Sequence, residues 1–224
     1  MTLASLDDDI AFDAVYPAEI RRISRRFWTP VAVARRAAQL FTEAGAKRVL
    51  DVGAGVGKFV LVAAEAAPAI HFVGIEHRRH LVDVASRARE ALGRDNARFK
   101  AADVTRMGWS AFDGFYLFNP FAENLFEGGD CIDRRVELST RRLSRDALRV
   151  ERALLRGPVG TSVVTYHGAT ARIPGCYEIE ACERAGTDWL RLWVRRREID
   201  DGSLFVEEAA GVVRQVAGAT HDVA

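Results

Sequence analysis

Read from the N-terminus, the apolar positions first take a helical period and then fall into an alternation of strands and helices. Val33, Ala37, Leu40 and Phe41 recur at spacings near 3.6 and predict a helix over about 31–43. Pro30 suits its start, Thr29 is a candidate N-cap, and Gly45 stands where such a helix should stop. A short apolar strand at 48–52 then runs straight into glycines, followed by an alanine-rich helix over 57–67 that Pro68 ends. The pattern continues with a strand at 70–76, a helix at 79–92 closed by Gly93, and a short strand at 97–100. A fully apolar strand at 112–118, an amphipathic helix at about 133–156 and a strand at 161–166 complete the alternation.

Strand and helix alternating at this spacing demand right-handed crossovers, hence an α/β fold with a parallel sheet and helices on both faces. The end of the chain differs. Two strand-like runs, 177–184 and 189–196, flank Ala185, Gly186, Thr187 and Asp188, which predicts a hairpin and an antiparallel edge. Residues 1–15, with Asp7, Asp8 and Asp9, read as a loose acidic arm, and 16–45 as a helical segment covering the glycine turn. No internal repeat or low-complexity linker interrupts the pattern, so 1–224 is expected to form a single domain.

Composition narrows the class. Apolar residues are 49% and charged residues 28% of the chain, as in ordinary globular proteins. Formal net charge is +1, which gives no overall electrostatic case for nucleic acid. Only Lys47, Lys58 and Lys100 are lysines among 32 basic residues. The acidic start is unlike a signal peptide and no run of eighteen apolar residues exists, so a cytoplasmic protein with no membrane partner is expected. Cys131, Cys176 and Cys182 form no Cys-x-x-Cys pair and have no clustered histidines, so no metal site is expected.

The strongest chemical signal is the run Asp51, Val52, Gly53, Ala54, Gly55, Val56, Gly57 between a strand and a helix. Glycines there let the backbone turn tightly and a ligand approach closely. The following helix aims its free N–H groups at an anion, either a phosphate or the carboxylate of an amino-acid moiety. A dinucleotide fingerprint would need glycine where Lys58 stands, which disfavours the alternative of an NAD-dependent oxidoreductase.

In its Asp-x-Gly-x-Gly-x-Gly form, and in the order of elements over about residues 20–200, the chain resembles the class I S-adenosylmethionine-dependent methyltransferases. The resemblance implies a doubly wound, Rossmann-like, seven-stranded and mostly parallel sheet with an antiparallel C-terminal hairpin, and S-adenosyl-L-methionine as cofactor. It further implies that Asp51 favours the cofactor's ammonium and that Gly53, Ala54, Gly55 and Gly57 line it. Glu76, with His77 beside it, would hold the ribose hydroxyls, for which two acceptor oxygens are suited. Asp103, with Val104, would meet the adenine amino group. Phe27, Trp28, Thr29 and Pro30 resemble a segment that packs over the methionine end in several amine methyltransferases.

Asn119, Pro120 and Phe121 end the fourth strand, where an open α/β sheet places its ligands. They resemble the Asn/Asp-Pro-Pro-aromatic segment of amino-methylating members, with one proline rather than two, and also a segment of class I protein-lysine methyltransferases. These three are the candidate catalytic residues, orienting an amine nitrogen toward the methyl, and Asn119 is a candidate cofactor contact as well. The acceptor implied is an amine of a protein or another macromolecule such as RNA, with a small molecule as the alternative. Glu123, Tyr116 and His167 are candidates for handling the proton.

The predicted helix at 133–156 carries Arg134, Arg135, Arg141, Arg142, Arg145, Arg149, Arg152 and Arg156 against Glu137, Asp146 and Glu151. Val136, Leu143, Leu148 and Leu155 form its expected buried stripe. A solvated face is the ordinary use of such charges, and binding of RNA, DNA or an acidic protein the other.

Overall fold

A computed structural model describes residues 8–125, 131–133, 135–167, 170–198, 205–209 and 212–215, the last two segments and Arg25 and Arg26 by backbone alone. Seven strands form one sheet in the order β3-β2-β1-β4-β5-β8-β7. Five of them, β1 (Arg48–Val52), β2 (His71–Glu76), β3 (Ala97–Ala101), β4 (Gly114–Phe118) and β5 (Ser162–Tyr166), run parallel. β7 (Tyr177–Ala185) and β8 (Asp188–Arg195) form the hairpin, and β8 pairs antiparallel with β5. The strand order thus reverses between the parallel neighbours β1 and β4, the point at which such sheets open a crevice at their carboxyl ends.

Both faces of the sheet are covered, and successive strand residues serve opposite cores. Val49 and Tyr116 pack with α4 (Val31–Glu43), α5 (Lys58–Ala66) and α6 (Arg79–Leu92), whereas Leu50, Phe115 and Leu117 pack with α7 (Thr140–Leu155). This two-sided burial is why the central strands read as continuous apolar runs. The helices at 31–43 and 79–92 lie where periodicity predicts them, and Gly45 and Gly93 follow their ends at φ +77° and +62°.

Four expectations are corrected. First, the acidic start is not loose from residue 8 onward. Asp8 caps α1 (Asp9–Asp13), Phe12 and Tyr16 are buried, and Lys58 pairs with Asp9 and Asp13, each at 2.6 Å. Two further short helices, α2 (Ala18–Arg21) and α3 (Ser24–Phe27), lead from there to α4. Second, Thr29 is not the cap of α4. Pro30 takes that position, and the Val31 N–H donates to Asp9 Oδ1 at 2.9 Å. Third, α7 begins at Thr140 rather than 133, because Ser139 accepts from the Arg142 N–H and starts the helix there.

Fourth, the buried stripe of α7 is Ala147, Val150 and Leu154, while Leu148 is exposed. Those three keep a true helical spacing, which Val136, Leu143, Leu148 and Leu155 do not. A second sheet in the order β10-β9-β6 was not legible beforehand: β6 (Ile173–Pro174), β9 (Phe205–Ala209) and β10 (Val212–Gln215). No helix among the described residues is long and apolar enough to cross a membrane.

Candidate functional site

The carboxyl ends of β1, β2 and β4 open onto one cleft, and the local sequence explains each wall. After β1 the chain turns through Gly53 (φ +82°) and Gly55 (φ +54°), conformations that a side chain resists. A Cβ at either glycine would meet nothing within 4 Å, so the turn leaves open space there. Gly57 has a different task. At φ +78° it forms the N-cap of α5, and a Cβ there would lie 2.4 Å from the Phe99 ring. It is a packing glycine and does not line the cleft.

At the end of β2, Glu76 is buried against this turn. It accepts from the Gly55 N–H at 3.1 Å and from the Arg78 N–H at 2.9 Å. His77, beside it, also lines the cleft. After β3, Asp103 caps the short 3₁₀ turn Val104–Arg106, accepting from the Thr105 N–H and hydroxyl at 3.0 and 2.7 Å. Burial raises the Asp103 carboxyl's pKa, but the two Thr105 hydrogen bonds and Arg106 outweigh that and hold it below its ordinary value. Both Asp103 and Val104 face the cleft.

A smaller recess adjoins the cleft and shares Trp28, Gly53, Ala54 and Phe118 with it. Asp51, Thr29 and Tyr116 line this recess. Burial, with Glu76 nearby, pushes the Asp51 carboxyl up to about 8. Thr29 Oγ1 and the Tyr116 hydroxyl share a hydrogen bond of 3.0 Å, and Tyr116 stacks on Phe59 at 3.6 Å.

Beyond β4, Asn119, Pro120 and Phe121 line the same cleft as the glycine turn. Asn119 and Phe121 both adopt positive φ, +42° and +69°. Left-handed backbone at two non-glycine residues stores strain, which persists only where surroundings hold it. Here Asn124 Nδ2 donates to the Phe121 carbonyl at 2.8 Å, and the Thr170 hydroxyl donates to that of Pro120.

The three proton-handling candidates part company. Glu123 lines the cleft, but its oxygens are taken by Arg78 and by the Ile132 N–H at 2.7 Å. Tyr116 is fully buried, and burial drives its hydroxyl pKa well above the ordinary value. Both Glu123 oxygens thus already have donors, and Tyr116 keeps its own proton. His167 stands outside the cleft lining, its Nδ1 2.8 Å from Asp188 Oδ2, with its ring 5.5 Å from that of Phe118. Arg78, Arg142 and Asp146 also line the cleft; Arg78 escaped notice because its partner Glu123 lies 45 residues away, and Arg142 and Asp146, an i,i+4 pair, read only as part of a charged helix.

Residues 43–127 match the family model described as a methyltransferase domain. Over 55 residues the chain is 42% identical to a tRNA (guanine-N(7)-)-methyltransferase of Synechococcus sp. (strain JA-3-3Ab), covering 25% of this chain and 23% of that protein. Over 50 residues it is 48% identical to the protein of that name from Microcystis aeruginosa, covering 22% and 24%. The matched segment therefore spans about a quarter of the length of these curated relatives. Among solved structures, an RNA methyltransferase from Salinibacter ruber, in complex with S-adenosyl-L-homocysteine, superposes over 77% of this chain and 96% of that one, with TM-score 0.53 and 21% identity. TrmN from Thermus thermophilus does so over 80% and 52%, with TM-score 0.55 and 20% identity. These structures share the fold.

Proposed function

We propose that the cleft of this chain, whose residues 43–127 match a methyltransferase domain, transfers a methyl group from S-adenosylmethionine to a nitrogen of a macromolecular acceptor. The residues present suit the cofactor. Gly53 and Gly55 leave a cradle that a Cβ would begin to fill, and Glu76 presents an acceptor-only carboxylate as a vicinal diol requires. Asp51 in the adjoining recess is an acid whose ionisation a neighbouring ammonium would favour. His77, Asp103 and Val104 would flank the adenosine, with Ala54, Trp28 and Thr29 at the methionine end. When bound, S-adenosylmethionine supplies a methyl carbon activated by a positive sulfur.

What the chain must add is alignment of a nucleophile and exclusion of water. The observation that carries the reading is the pair of left-handed residues on either side of Pro120. That backbone holds Asn119 and Phe121 in the wall of the cleft that Gly53 and Gly55 also line. The amide would orient a planar nitrogen group, and the ring would cover it. The curated relatives act on a guanine nitrogen of tRNA, which favours RNA over protein as the source of that nitrogen.

The test is incorporation of labelled methyl from S-adenosylmethionine into unmodified tRNA, ribosomal RNA and bulk protein, in wild type, Asn119→Ala and Asn119→Gly. Glycine keeps the left-handed backbone while removing the amide. Both variants should still bind cofactor but lose roughly 100-fold in turnover. Full turnover in Asn119→Gly would remove the amide from the chemistry.

A further inference from the structure

Five arginines on α7 and its C-cap, Arg141, Arg145, Arg149, Arg152 and Arg156, are spaced by four, four, three and four residues. At 3.6 residues per turn they fall within an arc of about 80°. The buried residues Ala147, Val150 and Leu154 occupy the opposite side, so the arginine stripe faces outward. Neither acid of the helix lies on it. Asp146 is buried beside the core, and Glu151 accepts from the Arg172 N–H at 3.0 Å.

Like charges at i, i+4 destabilise a helix, and Arg141 and Arg142 in the first turn oppose its dipole. Asp146 offsets part of this, contacting Arg142, Arg145 and Arg149 at 3.3, 2.9 and 3.7 Å. Arg141, Arg152 and Arg156 have no ion pair among the described residues. Among the described residues the stripe is therefore a row of positive charge that is only partly neutralised.

Its position connects it to the cleft. Arg142 and Asp146 line the cleft, and Arg149 Nη1 donates to Thr105 Oγ1 at 3.1 Å, beside Asp103. Arg106, exposed on the same rim, pairs with Asp103 at 3.2 Å. Fifteen helical steps from Arg141 to Arg156 extend the row over about 22 Å, the reach of roughly six phosphates along one strand. A protein partner would want an apolar centre to such a surface, and Leu148 alone supplies one.

From this geometry we infer that the arginine face of α7 is the docking surface for the phosphate backbone of an RNA acceptor, delivering a nucleotide to the cleft beside it. The inference rests on the methyl-transfer reading above. Backbone contacts of this kind position the acceptor and carry no sequence information.

The experiment is fluorescence anisotropy with a labelled, unmodified tRNA transcript between 50 and 200 mM salt, with S-adenosyl-L-homocysteine present. Wild type is compared with the triple variant Arg141→Gln, Arg152→Gln, Arg156→Gln, which leaves the Asp146 contacts alone. The variant should bind at least about tenfold more weakly, and its slope of log affinity against log salt should be shallower by about 2–3. A thermal shift with S-adenosyl-L-homocysteine should be the same in both proteins. Unchanged affinity and slope in a variant that keeps this shift would overturn the inference. So would a duplex DNA of equal charge binding as tightly, or polyglutamate displacing the tRNA at equal charge, which would assign the face to DNA or to an acidic protein. Absence of a thermal shift in wild type would instead remove the methyl-transfer reading, whatever the tRNA result.

Discussion

Arg78 and Glu123 meet in the wall of the cleft, one guanidinium nitrogen donating to both carboxylate oxygens at 2.9 and 2.8 Å. Their side chains are only 3% and 11% exposed. The same guanidinium reaches Asp133 at 3.2 Å, and the Arg78 N–H donates to Glu76. One residue thus ties the acid at the end of β2 to the segment that follows Asn119, Pro120 and Phe121.

Removing Arg78 leaves Glu123 buried without its partner. Loss of one member of a buried ion pair costs about 3–5 kcal/mol. Arg78→Ala should therefore lower the urea midpoint markedly, whereas Arg78→Leu combined with Glu123→Leu should recover much of the loss. A double variant as unstable as the sum of the two single changes would show that the pair is not coupled.

The cofactor turn separates packing from binding at two glycines. Gly57→Ala forces a methyl to within 2.4 Å of Phe99 and should destabilise the fold by about 1–3 kcal/mol. Gly55→Leu adds a side chain where nothing lies within 4 Å, so the fold should lose only about 1–2 kcal/mol, from the positive φ. Its affinity for S-adenosylmethionine should nevertheless fall by more than about tenfold, at least 1.4 kcal/mol. Normal affinity in Gly55→Leu, measured by titration calorimetry, would move the cofactor away from this turn.

How much of this was legible beforehand depended on the range of each interaction. The helices at 31–43 and 79–92 follow from periods within one element, and the hairpin from Gly186, which takes φ +60° between β7 and β8. The start of α7 was misplaced because Val136 read as part of the helix's apolar stripe, although it lies ahead of the Ser139 cap. Asp9 and Asp13 fell within an arm read as loose because their partner, Lys58, is more than 40 residues away. The site divided in the same way. The glycine turn and the end of β4 are local, but Arg78 with Glu123 and Asp133 exists only once the sheet brings their loops together.

Lys58 follows the glycine turn directly, and its side chain is 2% exposed. It holds Asp13, which is nearly as buried, and lies 5.8 Å from the rings of Phe12 and Trp28. Lys58→Ala should therefore loosen the N-terminal helices, detected as faster hydrogen exchange over 9–28. Cofactor affinity should fall with it, since Phe27 and Trp28 line the cleft. Unaltered exchange in this segment would show that apolar packing alone holds it.

Asp51 makes two opposite predictions about pH. Burial beside Glu76 raises its carboxyl to about 8, against 3.8 as the ordinary value. Between those values the unfolded chain has released this proton and the folded protein keeps it. The folded state then binds more protons, so the Asp51 contribution is fully present below pH 4, declines as pH rises, and is gone above about 8. The slope is at most about 1.4 kcal/mol per pH unit and should vanish in Asp51→Asn, as followed by urea unfolding at several pH values. Cofactor binding runs the other way, because an ammonium near Asp51 favours the ionised form. Titration of S-adenosylmethionine at pH 7 in two buffers of different ionisation heat should therefore show nearly one proton released by wild type and none by Asp51→Asn. Equal heats in both buffers for wild type would mean that Asp51 is already ionised, or that the ammonium does not bind beside it.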